Sequence, residues 1–486
     1  MLNNASASSS CPSPDAAERQ RTLATIVVSI AMVLEIVDVS ILNVAIPVLQ
    51  HSLAASPRQI EWVMTGYLFF FSVLLLTGGR LGDLCGYRRL FICGLTAFGV
   101  ASAGCGLATS PEMLIAMRIF QGISGAMMGP QILSLVQVLY PPHERFRVMS
   151  IFGLLGGAAG ILGPILGGAI IESNLFGLSW RPIFLINVPI IIVAIMLAWR
   201  VLPAVKSPEA KGIDLLGTLL AIIGGGAILL TLIEMPALGW PAWSFSLPVL
   251  AIITLCGLAR YLLAREKSGK PLLLPPEVLR DGFYRAGFSI TLLYQVATAS
   301  LLLATALALQ TGLGFTPFQT ALMHIPFALG AMFSITVAGR RLSPRLGRNI
   351  TLVGVVVQVC GLLLMGYGIS GGMTVMRLVA LGVGFSLCGC GMGLISAPLP
   401  AFAMAATRVA HAGAASGLFR TGQQFGAALG MATLGGFYLA KSASGPGAWR
   451  LAFITLLALD IAVLLVIAAL SRWLPASVLR PEEKKT

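Results

Sequence analysis

Charged residues are scarce in this chain: Asp, Glu, Lys and Arg make up 10% of its 486 residues, where soluble domains carry ~25%. With 57% hydrophobic residues and a mean hydropathy of +0.90, the polar surface needed to coat a soluble globule is missing, and the chain reads as a membrane protein. Histidine is nearly absent, at four. The eight cysteines are dispersed: Cys93, Cys105, Cys256, Cys360, Cys388 and Cys390 fall in apolar stretches, Cys85 in a loop and Cys11 in the leading polar segment. That dispersal gives neither a disulfide framework nor zinc spacing, and no His, Cys or carboxylate cluster offers a metal or cofactor site. G-x-S-x-G, a P-loop and a G-x-G-x-x-G between strand and helix are all missing, which removes the common signs of a membrane enzyme. No stretch between apolar segments is long enough to bury a soluble core, so one membrane unit is expected.

What is present is a series of apolar stretches of roughly 20 residues, the length that spans ~30 Å of hydrocarbon. They centre on residues 23–48, 59–79, 89–108, 111–138, 148–171, 182–200, 213–234, 245–264, 285–310, 317–338, 350–370, 374–404, 412–439 and 450–473. The stretch 374–404 is expected to end in a surface turn near Pro398 and Pro400. An all-α membrane protein with fourteen transmembrane helices follows. Cytoplasmic loops retain positive charge, and with the N-terminus inside, 25 of the 32 Lys and Arg fall on the cytoplasmic side. Arg58, Arg181, Arg377, Lys441 and Arg450 fall outside, and Arg118 and Arg420 lie within helices. Both termini are therefore expected in the cytoplasm. The net charge of +14 then faces anionic lipid headgroups and is no argument for nucleic acid. Residues 1–22 lack the basic-then-apolar plan of a cleaved signal and read as a flexible cytoplasmic tail.

Three stretches carry specific signal. GGRLGDLCGYRRL, residues 78–90, is a short charged turn between helices 2 and 3. Its Gly79, Gly82 and Gly86 allow close backbone approach, Asp83 can cap the next helix or pair with an Arg, and Arg88 and Arg89 stand at the membrane face. GLLGGAAGILGPILGGAII, residues 153–171, spaces Gly153 and Gly157, Gly156 and Gly160, and Gly163 and Gly167 four apart. This makes a smooth stripe for close helix contact, with Pro164 permitting a bend; a dimerisation face explains the spacing at least as well as any other role. EIVDVSILNVAIPVLQ, residues 35–50, sets Glu35 and Asp38 on one helix face in mid-span. Each ionised form there costs ~2.5–3.5 kcal/mol even on lenient scales, and desolvation with mutual repulsion opposes keeping both ionised. Such residues need a cavity, a partner or a proton. A structural ion pair with Arg118 on helix 4 or Arg420 on helix 13 is the plain alternative, and Arg118 is explained equally well as an Arg satisfied by backbone carbonyls. Pro47 leaves the Asn43 carbonyl without its helical donor.

Gly79, Leu81, Asp83, Gly86, Arg88, Arg89 and Leu90 resemble the loop signature of the major facilitator superfamily, with Leu84 and Tyr87 where that family usually carries basic residues. Gly163, Pro164, Gly167 and Gly168 resemble the G-P-x-x-G-G signature of its antiporters. Asp38, Asn43, Ala45 and Pro47 resemble the helix 1 motif of the drug:proton antiporters, Val37 and Ser40 being departures. RIFQGISGA, with Arg118, Gln121, Gly122 and Gly125, is similar to the helix 4 motif, and WRPIFLINVP, residues 180–189, to the entry to helix 6 of the 14-helix branch. The resemblance covers nearly the whole chain. RRLSPRLGR, residues 340–348, repeats the basic, glycine-bearing turn after helix 10, with Pro344 at the place of Asp83. That is eight helices after its counterpart instead of the six of a 12-helix plan. The organisation implied is a tail 1–22, a six-helix half 23–201, a linker with two extra helices 202–270, a second six-helix half 271–474 and a tail 475–486.

The resemblance implies a non-enzymatic, proton-coupled antiporter of the cell membrane. It would export small amphiphilic drugs, antibiotics or related metabolites by alternating access, as a monomer amid lipid. Asp38 is the expected proton-coupling carboxylate, Glu35 an auxiliary acid and Arg118 the residue biasing proton release. Gly163, Pro164, Gly167 and Gly168 form the outer seal, and Gly79, Asp83, Gly86, Arg88 and Arg89 the conformational loop. Asn43, Trp62, Tyr67, Gln121, Arg420, Gln423, Gln424 and Asp460 are candidates for the substrate path; the group on helix 13 would serve equally to tie helices together. Met127, Met128, Phe69–Phe71 and Phe402 read as core or lipid-facing, and Trp180, Trp240, Trp243, Trp449 and Trp473 as interface anchors. An importer or uniporter of the same fold and a non-transporting sensor are the rival readings.

Overall fold

The computed structural model describes residues 14–140, 142–206, 212, 214–238, 241, 245–267, 276–337, 342–372, 374–405, 412–445 and 447–476. All regular structure among them is helical. The long helices are α1 (Pro14–Ser52), α2 (Pro57–Cys85), α3 (Tyr87–Gly106), α4 (Pro111–Leu139), α5 (Pro142–Ser173), α6 (Pro182–Val201), α7 (Leu215–Leu238), α8 (Ser246–Lys267), α9 (Gly282–Leu307), α10 (Pro317–Val337), α11 (Asn349–Ile369), α12 (Val375–Ser396), α13 (Ala412–Gly430) and α14 (Ala448–Leu470). Among the described residues, thirteen helices are long and apolar enough to cross a membrane. The segment expected as the thirteenth of fourteen spans, α13, is not among them. It carries Arg420, Gln423 and Gln424 and runs on through a π turn, Met431–Gly435, into Gly436–Ser442.

Helix starts follow local chemistry. Ser56 and Gln59 form a reciprocal capping box ahead of α2 with Pro57 at its first position. Ser110, Asp281 and Thr374 accept from the first-turn amides of α4, α9 and α12. Between α2 and α3 the chain turns on Gly86 at φ +96°, a value that side-chain-bearing residues avoid.

Small residues set the packing. α2 lies against α4, α4 against α3 and α1 against α5; in the second group α11 lies against α12, α12 against α10 and α9 against α13. The two groups meet along α5 with α10 and α2 with α13. A Cβ at Gly78 would overlap the Ala126 carbonyl and one at Gly122 the Tyr67 carbonyl, so the α2–α4 contact is as close as backbones permit. In the second group Gly389 stands in the same relation to the Phe327 carbonyl. The pair α7–α8 is clasped to itself, Asp214 accepting from Gly217 N at 3.0 Å and from the Tyr261 hydroxyl at 2.8 Å. It touches the rest through α2, where Thr77 and Thr218 share a hydrogen bond of 2.8 Å, and through the π turn Met431–Gly435.

Several expectations change. Residues 14–22, expected in a flexible tail, continue α1, and Gln20 donates to the Val201 carbonyl at 3.3 Å; residues 1–13 lie outside the described residues. Trp180, expected at the membrane interface, is fully buried and donates to Ser52 Oγ at 3.1 Å; Trp240 and Trp243 lie outside the described residues. The chain does turn at 397–398, yet Leu399, Phe402 and Ala403 beyond it are buried. That is a core turn, because Gly287 of α9 admits Ala403 against its backbone. Of the basic repeat 340–348, residues 340 and 341 lie outside the described residues, as do 268–270 of the expected linker, 271–275 of the expected second half and 477–486 of the expected tail.

Candidate functional site

Three helices build one polar knot. α1 brings Glu35 and Asp38, α4 brings Arg118 and Gln121 one turn apart, and α2 brings Val63 and Tyr67. Arg118 Nη1 lies 2.5 Å from Asp38 Oδ2, and Gln121 Nε2 donates to Asp38 Oδ1 at 2.8 Å. Arg118 also donates to Gln121 Oε1 at 2.7 Å and, through Nε, to the Val63 carbonyl at 3.2 Å. Its guanidinium carbon sits 4.4 Å from the centroid of the Tyr67 ring, within cation–π range. Asp38 and Arg118 are each 1% exposed, and Gln121 and Tyr67 are fully buried. Both oxygens of Asp38 are thus engaged by donors, the condition under which a buried charge is tolerated. The Gly122 contact explains the local sequence: only a residue without Cβ after Gln121 lets α4 close on α2 far enough for Arg118 to reach Val63.

Glu35, three residues earlier, faces elsewhere. Its Oε1 lies 3.4 Å from Arg420 Nη2 on α13, and the Arg420 side chain is 33% exposed against 6% for Glu35. Glu35 Oε2 makes no hydrogen bond within the protein. The two carboxylates therefore take one cation each, Asp38 from its own helix group and Glu35 from the other. Both ion pairs weighed from sequence are formed.

The glycine stripe of α5 packs inside the chain. Gly156 faces Ile36, Gly157 faces Met332 of α10, and Gly163 and Gly167 face Ser40 and Ile41 of α1. A Cβ at Gly168 would come within 2.7 Å of Phe318 Cα and 2.8 Å of the Pro317 carbonyl of α10. Gly160 meets nothing within 4 Å. One helical turn beyond Gly168, Thr316 donates to Glu172 at 3.0 Å, and nearby Gln310 donates to the Val44 carbonyl at 3.0 Å. At the other end of the bundle, Asp83 accepts from the Tyr87 hydroxyl at 3.1 Å and lies 3.7 Å from Arg80; of the two roles expected for it, the structure shows pairing, since α3 has no side-chain cap. Arg88 donates to the Leu202 carbonyl at 3.3 Å and stacks 5.0 Å from Trp199. Gly79 packs on Pro130, and Arg89 is exposed.

The remaining candidates scatter. Gln121 and Tyr67, expected on a substrate path, belong to the Asp38 knot. Trp62 donates to Glu234 of α7 at 2.8 Å, so it fastens the α7–α8 pair. Asn43 is half-buried with its Oδ1 unbonded. Gln423 and Gln424 are half-buried on α13 and make no hydrogen bond to Glu35 or Asp38. Asp460 is buried far along the second group. Sequence reading missed Glu61, buried on α2 beside Gly436, and Glu234, which also pairs with Arg58 at 3.0 Å. Both obey the rule that exposed Asp38, an acid inside an apolar span, but they stand at span edges where charge looks unremarkable.

Comparison with known proteins gives a consistent picture. The family model described as Major Facilitator Superfamily matches residues 28–431. The chain is similar to the "Probable actinorhodin transporter" of Streptomyces coelicolor (strain ATCC BAA-471 / A3(2) / M145), 36% identical over 408 residues, covering 83% of this chain and 70% of the relative. It is similar to the "Puromycin resistance protein pur8" of Streptomyces alboniger, 30% identical over 453 residues, covering 91% and 87%. Among solved structures, the POT family transporter PepTSo superposes with a TM-score of 0.67 at 15% identity, covering 93% of this chain and 98% of that one. At that identity the likeness speaks for the fold alone.

Proposed function

This chain belongs to the Major Facilitator Superfamily, a multi-pass membrane protein among transporters, and from that premise we propose that it exports small amphiphilic antibiotics or related metabolites in exchange for protons. The relatives' names support the substrate class. The observation that carries the exchange mechanism is the Asp38–Arg118 pair, 1% exposed on both sides, with both carboxylate oxygens occupied by donors.

A proton arriving at Asp38 removes the charge that holds Arg118, and loss of the proton restores it. Asp38 is the proton-coupling carboxylate, Arg118 biases release by stabilising the ionised form, and Gln121 and Tyr67 hold the pair in register. The halves 23–201 and 271–474 rock about this knot, with fourteen helices crossing and both termini cytoplasmic. Glu35 is the auxiliary acid. Because its cation comes from α13, the Glu35–Arg420 contact reports the relation between halves. Gly163, Pro164, Gly167 and Gly168 form the outer seal, and Gly79, Asp83, Gly86, Arg88 and Arg89 the conformational loop. Met127, Met128 and the phenylalanines serve as core.

The test is transport of puromycin by the purified, reconstituted protein under an imposed pH gradient, with a pH-sensitive dye reporting counterflow of protons. Uphill puromycin movement opposite to the proton gradient is expected. Puromycin flux that ignores the gradient would mark a uniporter, and flux in the same direction as protons an importer.

A further inference from the structure

The second half holds a carboxylate that the knot above does not use. Asp460 stands at the middle of the 23-residue α14, in the apolar run AFITLLALDIAVLL. It is 1% exposed, and neither of its oxygens makes a hydrogen bond within the protein. Asp38 is clamped by an arginine and a glutamine, whereas Asp460 has no cation beside it among the described residues. Buried carboxylates without donors or cations do not persist as ions.

Its surroundings are polar but neutral. α14 packs against α9 and α11. The Tyr294 hydroxyl donates to Gln358 Oε1 of α11 at 3.1 Å, and Cys388 Sγ lies 3.8 Å from the Gln358 carbonyl. From the segment after α13, Tyr438 stacks edge-on against Phe453 of α14. The arginines packed against α14 sit at its ends: Arg348 on the carbonyls of Arg472 and Leu474, and Arg450 over Trp449. Along α9, Thr291, Tyr294 and Thr298 recur at i, i+3 and i+7, one helical face, and all three are buried. A row of buried hydroxyls thus runs along α9, a helix packed against α14.

We propose that Asp460 is a second proton-carrying group, loaded and unloaded along the hydroxyl face of α9, so that each half of the transporter carries a proton. It rests on the proton-exchange reading above and adds to it a site and a stoichiometry. A proton passes from water on one side to a carboxylate oxygen and returns to water on the other; no other bond is made or broken.

Infrared difference spectroscopy of the purified full-length protein tests the site without reference to transport. The carbonyl band of a protonated carboxyl group should be present in the wild type, titrate reversibly with pH, and vanish in Asp460→Asn. Tyr294→Phe, which keeps the ring, should displace that band and provides the same test if Asp460→Asn does not fold. In proteoliposomes with puromycin as the transported probe, the proton-to-puromycin ratio should fall about twofold in Asp460→Asn, as expected when one of two intramembrane relay groups is lost. An unchanged ratio, or a band that never titrates, overturns the proposal. Should the wild type move no puromycin against a pH gradient, the exchange reading falls, while a titrating Asp460 band still establishes the proton site.

Discussion

Glu35 and Asp38 sit three residues apart on one helix and differ in almost everything that decides chemistry. Asp38 is enclosed within one helix group, 1% exposed, with two donors and a cation over an aromatic ring. Glu35 reaches across to the other group, its cation is a third exposed, and one of its oxygens is unbonded. A pair sealed inside one rigid group survives relative motion of the groups; a pair that bridges them is made or broken by that motion. Two carboxylates three residues apart are therefore placed for the two different tasks proposed above, Asp38 to hold a proton and Glu35 to report the relation between halves.

The comparison breaks most sharply at Asp38. Asp38→Asn should abolish uphill export in proteoliposomes, while Glu35→Gln should retain coupling at a reduced rate. Removing an acid from a membrane span relieves an insertion cost only where its charge is uncompensated. Here Arg118 stays behind. Asn still offers an acceptor to it, so the stability loss should be about 1–3 kcal/mol, the scale of a charge-assisted hydrogen bond, well short of the roughly 3–5 kcal/mol for a buried pair broken outright, as in Asp38→Leu. Substrate-induced proton release from the solubilised variants decides the matter. Undiminished release in Asp38→Asn would move the coupling role to Glu35 or Asp460.

The glycines proposed as the outer seal offer a middle-sized effect that sharpens the same division. Gly163 faces Ser40, a small side chain able to rotate aside, whereas Gly168 faces the backbone of Phe318 and Pro317. Gly163→Leu should damage the seal, but Gly168→Leu should do so more, because backbone cannot yield without parting α5 from α10. A proton-leak assay in the absence of puromycin reads this directly. Equal leak in the two variants would mean that the α5–α10 contact is not the barrier.

Much of this was legible in the sequence, for identifiable reasons. A charge in an apolar span declares itself, so Asp38, Glu35, Arg118 and Asp460 stood out, and the glycine spacing announced close helix contact. Partner choice was not legible. Nothing in the one-dimensional pattern separates an Arg on α4 from an Arg on α13 as the cation for either acid, because pairing depends on how far α4 sinks into α2 at Gly122. Tyr67 and Gln121 looked like pocket walls for the same reason: a polar side chain in a helix shows its face only after the neighbours are placed. Trp180 failed as an interface anchor because tryptophan's preference for membrane edges is statistical, and here Ser52 supplies an internal acceptor.

The smallest effect expected is the most discriminating about the knot itself. Tyr67 is fully buried, its ring supports the Arg118 guanidinium at 4.4 Å, and its hydroxyl has no hydrogen-bond partner. Ring and hydroxyl can therefore be separated. Tyr67→Phe keeps the ring and removes an unsatisfied polar atom, a change that is near neutral or slightly stabilising for a buried group without a partner. Tyr67→Leu removes the quadrupole under the cation and should cost ~0.5–2 kcal/mol, visible as a lower melting temperature in detergent. If Tyr67 acts on Asp38 only by steadying Arg118, puromycin export should follow the ring: retained in Phe, reduced in Leu. Equal loss of export in both, with the Phe variant melting as the wild type does, would show that the hydroxyl takes up a partner during the cycle and that the Asp38 site is less closed than its 1% exposure implies.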